Sequence, residues 1–466
     1  VFFKQFYLGC LAHASYLIGS EGEAVVIDPQ RDVDQYLEEA KQAGLKIKYV
    51  METHLHADFV SGHRELAERT GAQIIFGQRA GAEFPHIAGA DGDIFCVGKL
   101  HLTLLETPGH TPESVCILLA DSENQSDPKL LFSGDTLFIG DVGRPDLVAS
   151  RGYSADQMSR MLYESIYNKL LKLDNDVVVY PAHGAGSLCG KNLSSDRQST
   201  IGRERMFNYA LQAKSEDDFV AMVTVDQPEV PAYFPKDVEM NRVGPVTLAK
   251  LQRPKPMTAC EVSASVTKGA ILLDIRCGDS YSSAHINGSL NIGLGGQFAS
   301  WAGTLIDFGK PIIIICDDEK HLDEAVVRLA RVGIESVSGY LAEGILSWQK
   351  AGSSVVPTSM ISVKDLKHRL EDADDLLVVD VRRRTEFAEG HVPGAVNIPL
   401  AELSGRVAEL EKTRPIAIIC ASGYRSLIAC SILERAGFHA LINVLGGTTA
   451  WKNAEYSLEA RKTVTV

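Results

Sequence analysis

The chain has 466 residues, enough for about three domains of ordinary size, and its 45% hydrophobic and 23% charged content excludes disordered, collagen-like and mucin-like classes. A formal charge of -14 with no basic patch excludes nucleic acid and anionic membrane surfaces as natural partners. No apolar run reaches the roughly 18 residues of a membrane span, the start VFFKQFYLG lacks the regions of a signal peptide, and nine cysteines without CxxC pairs argue against a disulfide framework or zinc ribbon, so a soluble, cytoplasmic protein is expected.

In chain order, Tyr16 to Asp28 predicts two short strands around a turn. Asp34 to Gly44 predicts a helix stopped by glycine, and Ile47 to Thr53 a strand that runs into a histidine-rich loop. This rhythm of strand, helix, strand and loop continues to about residue 245, giving an α/β domain over 1-245 with its site on loops at strand ends. A proline-spaced stretch, 246-257, reads as a linker. Beyond it the chain repeats itself with a period near one hundred residues. Ile271-Leu-Leu-Asp-Ile-Arg276 corresponds to Leu377-Val-Val-Asp-Val-Arg382, Pro311 to Cys316 corresponds to Pro415 to Cys420, and Trp348 to Trp451. Apolar β-branched runs alternate with helical patterns in each copy, which predicts two small parallel sheets flanked by helices, over 258-355 and 358-466.

The densest chemical signal is Thr53-His-Leu-His-Ala-Asp-Phe59, where His54, His56 and Asp58 alternate along one loop. Three further loops carry His110, Asp135 and His183, each beside a glycine and each directly after an apolar run. Isolated histidines such as His13, His86, His101 and His439 read as ordinary surface or core residues.

The four loops resemble those of the metallo-β-lactamase-fold superfamily, over roughly residues 1-245. The resemblance implies a four-layer αββα sandwich with a site for one or two metals at one edge. One position departs from the HxHxDH motif: its last histidine is Phe59 here. Without that ligand a single-metal site is expected. Within the superfamily the sequence is most similar to the persulfide dioxygenases, which implies one Fe(II) per chain held by His54, His110 and Asp135. Two imidazoles and one carboxylate on one face of an ion suit iron and dioxygen. The same resemblance leaves His56, Asp58 and His183 to orient ligands, protonate an intermediate or hold a second ion; the alternative is that they merely fasten the loops. Gly140-Asp-Val-Gly-Arg-Pro-Asp-Leu147 resembles the family's Gly-Arg segment. It makes Arg144 the candidate for pairing with the carboxylate of a thiol such as glutathione, against the alternative of a surface arginine in a tight turn.

In the last repeat an apolar strand delivers Cys420, and Cys420-Ala-Ser-Gly-Tyr-Arg-Ser426 opens a helical pattern. A loop at a helix N-terminus stabilises a thiolate or persulfide, and Arg425 adds a positive charge beside it. This segment, with Asp380-Val-Arg382 and Gly390-His-Val-Pro-Gly-Ala-Val-Asn-Ile-Pro399, resembles the rhodanese family, which implies that Cys420 carries transferred sulfur as a persulfide. The first repeat has Cys316-Asp-Asp-Glu-Lys-His-Leu322 instead. Three carboxylates disfavour its thiolate, so an inactive rhodanese used for spacing or docking is expected there, and whether Cys316 reacts stays open.

Together these readings predict oxidation of a low-molecular-weight thiol persulfide by dioxygen to sulfite. Sulfur transfer through Cys420 would then give thiosulfate, in sulfide detoxification. The alternative is a zinc-dependent thioester hydrolase of the glyoxalase II type with the repeats used for docking. The thiol is not legible, nor is whether sulfur passes within one chain or between the chains of a homo-oligomer.

Overall fold

A computed structural model describes residues 1-121, 129-227, 229-372 and 375-460. The chain divides into two compact units. One comprises Val1–Leu251 with Val327–Ile334, and the other comprises Gln252–Val326 with Glu335–Val466.

The first unit is built on two six-stranded mixed sheets. One runs from Phe2–Leu8 through His13–Ser20, Glu23–Ile27, Lys46–Met51 and Gln73–Gly77 to Ile87–Gly89. The other runs from Ser199–Thr200 through Val178–Pro181, Leu130–Gly134, Val115–Asp121 and Leu100–Glu106 to Ile94–Val97. Strand alternation explains the layering. In Glu23–Ile27, Val25 and Ile27 point into a core shared with Leu102, Leu104, Ile117 and Phe132 of the second sheet. Ala24 and Val26 point the other way, against Tyr36 and Ala40 of the helix Asp34–Gln42 and Leu66 of the helix His63–Thr70. The second sheet is covered likewise by Leu162 and Ile166 of Ala155–Asn168 and by Phe219 of Glu216–Thr224. Each fully buried valine, isoleucine or phenylalanine here contributes about 1.5–3 kcal/mol. Helices on the outside and two sheets face to face give the expected αββα sandwich.

The second unit contains two five-stranded sheets, all parallel. In each the central strands, Ile312–Ile315 and Ile416–Ile419, are buried at every position, as a parallel strand covered on both faces must be. The duplication extends to hydrogen bonds. Arg276 Nη2 donates to Asp274 Oδ2 at 2.6 Å, as Arg382 Nη2 does to Asp380 Oδ2 at 2.7 Å. Trp348 Nε1 donates to the Ser354 carbonyl and Trp451 Nε1 to the Ser457 carbonyl. The structure differs from the sequence reading at the linker: Lys255–Met257, assigned to 246-257, forms the edge strand of the first parallel sheet. Pro256 argued for a linker, but an edge strand tolerates proline because it pairs on one side only.

Among the described residues no helix is long and apolar enough to cross a membrane.

Candidate metal centre and cysteine loop

The strand Lys46–Met51 ends in a loop whose anchor is Thr53. Its backbone N–H donates to Asp28 Oδ1 at 2.7 Å and its hydroxyl donates to Asp28 Oδ2 at 2.8 Å. Having given its proton away, that hydroxyl accepts from His54 Nδ1 at 3.0 Å, which leaves His54 Nε2 as a bare lone pair. His110 reaches the same state by a different route: its Nδ1 donates to the Arg144 carbonyl at 3.0 Å, so its Nε2 is also bare. Both nitrogens face Asp135 Oδ2, at 3.9 Å from His54 and 3.4 Å from His110. Burial holds both histidines below their ordinary pKa, His54 strongly, and keeps them neutral. Burial alone would raise the Asp135 carboxyl, but His183, then His54 and His110, hold it below the usual carboxylate range.

Asp135 Oδ2 is buried and has no hydrogen-bond partner among the described residues. Two bare imidazole nitrogens and one orphaned carboxylate oxygen, all within 4.8 Å of one another, fit a divalent cation. Two glycines allow the loops to converge. Gly134 turns at φ 52°, and a methyl group there would lie 2.6 Å from Thr53 Oγ1. A methyl on Gly143 would lie 1.9 Å from the Asp135 carbonyl oxygen and 3.0 Å from His110.

The remaining motif residues surround this face. His183 lies between two carboxylates, with Nδ1 2.8 Å from Asp135 Oδ1 and Nε2 2.8 Å from Asp58 Oδ2. Burial opposes its charge, but Asp135 and Asp58 raise its pKa well above the ordinary value. His56 turns its Nε2 to Asp28 Oδ1 and Glu52 Oε2, each at 3.1 Å, and these carboxylates overcome burial to push it up to about 10. Phe59 is buried, with its ring 4.1 Å from that of His13 and 4.4 Å from that of His56. Arg144, expected to pair with a substrate carboxylate, is placed beside this face. Its guanidinium is buried and already meets a carboxylate of its own chain bidentately, Asp146, at 2.7 Å through Nε and Nη2. Nη1 donates to the Leu188 carbonyl at 3.0 Å. Through these bonds Arg144 braces two loops while its carbonyl orients His110. Sequence reasoning missed Asp28, Thr53, Gly143 and Asp146, none of which stands in a ligand pattern.

In the second unit Cys420 follows the strand Ile416–Ile419 and the helix Tyr424–Arg435 follows the loop. Gly423, at φ 104°, turns its N–H onto Cys420 Sγ at 3.1 Å, and the Ser426 hydroxyl donates at 3.4 Å. Arg425 is held at 2.7 Å through both Nη atoms by Glu386. Its charge therefore reaches the loop already paired. Cys316 stands at the same place in the first repeat, where burial, then Asp318 and Asp317, push its thiol up to about 11. The two repeats share hydrogen bonds along the helix behind Cys420. Tyr424 Oη donates to the Gly293 carbonyl at 2.8 Å, and Glu434 accepts from Gly288 N at 3.0 Å and lies 3.0 Å from His285 Nε2.

An αββα sandwich with histidines and an aspartate converging on loops at the strand ends defines the metal-binding class of this fold. Residues 8–183 match the family described as the metallo-beta-lactamase superfamily, and 258–351 and 362–454 each match the rhodanese-like domain. The mitochondrial persulfide dioxygenase ETHE1 of Bos taurus is 31% identical over 46% of this chain and 78% of its own length. The hydroxyacylglutathione hydrolase of Francisella philomiragia is 35% identical over 39% of this chain and 66% of its own. The crystal structure of a metallo-beta-lactamase from Staphylococcus aureus, 33% identical, covers 73% of this chain and 98% of that one with a TM-score of 0.65. The chain belongs to the metallo-beta-lactamase superfamily and carries two rhodanese-like domains after its sandwich.

Proposed function

We propose that the first unit oxidises low-molecular-weight thiol persulfides with dioxygen to sulfite, and that Cys420 adds sulfane sulfur to that sulfite to give thiosulfate. The observation that carries the reading is Phe59. A buried phenyl ring stands where a two-metal site needs its last histidine, beside a face of two neutral imidazoles and one carboxylate. Similarity to a persulfide dioxygenase supports it as well.

Fe(II) held by His54, His110 and Asp135 would bring persulfide and dioxygen together and pass electrons between them. The chain's own part is preparation. Thr53 and the Arg144 carbonyl fix the tautomers that present Nε2 of both histidines. His183 keeps Asp135 ionised, and burial of the whole set excludes bulk water. In balance, R–S–SH, O2 and H2O give R–SH, HSO3⁻ and H⁺, with four electrons passing from the two sulfurs to dioxygen. At Cys420 the thiolate takes the outer sulfur of a second persulfide, and R–S⁻ leaves. Sulfite then attacks the outer sulfur of the cysteine persulfide, and the Cys420 thiolate leaves. The Gly423 N–H and Ser426 hydroxyl stabilise the negative sulfur at both stages.

Oxygen uptake by the iron-loaded protein given glutathione persulfide tests the first step; no uptake overturns it. Thiosulfate formation unchanged in Cys420→Ser removes that cysteine from the second. Similarity to a hydroxyacylglutathione hydrolase favours a second reading, thioester hydrolysis with zinc. Two tightly held zinc ions per chain, with hydrolysis of S-lactoylglutathione, would decide for it.

A further inference from the structure

His13 lies outside every motif, yet its surroundings are unlike those of a core histidine. It opens the strand His13–Ser20 and is fully buried, and neither ring nitrogen has a hydrogen-bond partner among the described residues. Buried imidazoles ordinarily satisfy at least one nitrogen, because the ring always carries an N–H or two. The backbone holds this one in place. Ala12 sits in the left-handed region at φ 52°, which a residue with a Cβ rarely adopts. Ala14 N donates to the Ala182 carbonyl at 2.7 Å and Gly184 N to the Ala12 carbonyl at 3.0 Å, strapping His13 across from His183.

The ring rests on Phe59 and lies between the rings of His56, 5.7 Å away, and His183, 5.5 Å away. Two neighbouring motif residues also carry buried atoms without a hydrogen-bond partner among the described residues. The atoms are His56 Nδ1 and Asp58 Oδ1, the latter on the carboxylate whose other oxygen meets His183. Buried donors and acceptors without protein partners are what holds an ordered water, which takes two to four such contacts. His183 Nδ1 joins this neighbourhood directly to Asp135 at 2.8 Å. A guest held here is therefore one imidazole away from the metal face. Phe59 offers no hydrogen bond, whereas His13, His56 and Asp58 each have a buried polar atom to spare.

We propose that His13 is a positioning residue which, with His56 and Asp58, holds a reactant water beside the metal face, and that this water supplies the third oxygen of sulfite. This rests on the persulfide reading above. Once the outer sulfur carries two oxygens from dioxygen, water attacks it as R–S–SO2⁻ + H2O → R–SH + HSO3⁻. One S–O bond forms, and the S–S bond breaks with its electron pair going to the thiol sulfur. That sulfur takes one proton of the water, and sulfite keeps the other.

The test pairs a structure with kinetics. A crystal structure of the full-length, metal-loaded protein is expected to show a water within about 3.2 Å of a His13 nitrogen. A His13 ring hydrogen-bonded directly to protein, or no ordered water at either nitrogen, overturns the proposal. In His13→Phe, which keeps the ring's bulk without its nitrogens, kcat for persulfide-dependent oxygen uptake should fall about tenfold, with KM and iron content unchanged. That loss corresponds to about 1.4 kcal/mol of barrier. His13→Gln, which retains a donor and an acceptor, should recover to within about threefold of wild type. Equal losses in both variants, or none in either, refute the role. Wild-type protein that takes up no oxygen refutes the persulfide reading instead, and the crystallographic result then still decides whether His13 holds a water.

Discussion

Replacing Thr53 with valine removes one hydroxyl and keeps the branched shape, so its effects can be traced bond by bond. The hydroxyl is the acceptor for His54 Nδ1 and the donor to Asp28 Oδ2. Without it no described partner of His54 Nδ1 selects the tautomer that bares Nε2. Loss of a partner that orients a metal-binding histidine costs about 10–100-fold in affinity, or about 1.4–2.7 kcal/mol. Asp28 is buried, and its Oδ2 would lose its donor, which adds about 1–3 kcal/mol against folding. Thr53→Ser keeps both bonds and should stay near wild type. Calorimetric titration of the metal-free protein with Zn(II), which is redox-inert, reads the first effect, and urea unfolding reads the second. If Thr53→Val binds Zn(II) within about twofold of wild type while its unfolding midpoint falls, the hydroxyl holds the loop but does not set the tautomer, and the reasoning fails.

Three other outcomes are expected. Gly143→Ala forces a methyl against the Asp135 carbonyl oxygen and His110, so the variant should lose bound metal on gel filtration; full retention would show that the loop gives way at low cost. Asp380→Asn breaks a buried bidentate pair with Arg382 and should destabilise the second unit by about 3–5 kcal/mol in urea; a loss under 1 kcal/mol, on the order of a surface pair, contradicts it. A thiol raised to about 11 is ionised about one part in a thousand at pH 8. Peptide mapping after iodoacetamide at that pH should therefore find Cys316 unmodified, and quick alkylation there would reopen it as a reactive group.

The α/β alternation and the duplication were legible because both write themselves into periodicity, whereas the sandwich was implied by the resemblance of the four loops. Strands buried on both faces read as unbroken apolar runs, and the repeats agree position by position, down to the Asp-x-Arg pair that folds back on itself in each copy. His54, His110 and Asp135 were legible because each stands at the end of an apolar strand. Arg144 illustrates what a motif leaves out. Residue type and place pointed to a carboxylate, and the structure supplies one, but it is Asp146, two positions along the same turn. Lys255–Met257 was obscured because proline signals an interruption whichever side of a sheet it lies on. His13 could not be found at all: a single histidine in an alternating strand carries no spacing, and its meaning arises only when the Ala182–Gly184 segment is strapped across from it.

The bond between His110 Nδ1 and the Arg144 carbonyl comes from main chain, which every amino acid possesses. Position 144 could therefore exchange its side chain and still present the same oxygen, provided the loop from Asp135 keeps its length. Here the constraint on the gene falls on reading distance more than on spelling. Arg144→Ala should leave His110 oriented while loosening the Leu188 loop, whereas deleting a single residue between 135 and 144 should displace the oxygen and release the histidine.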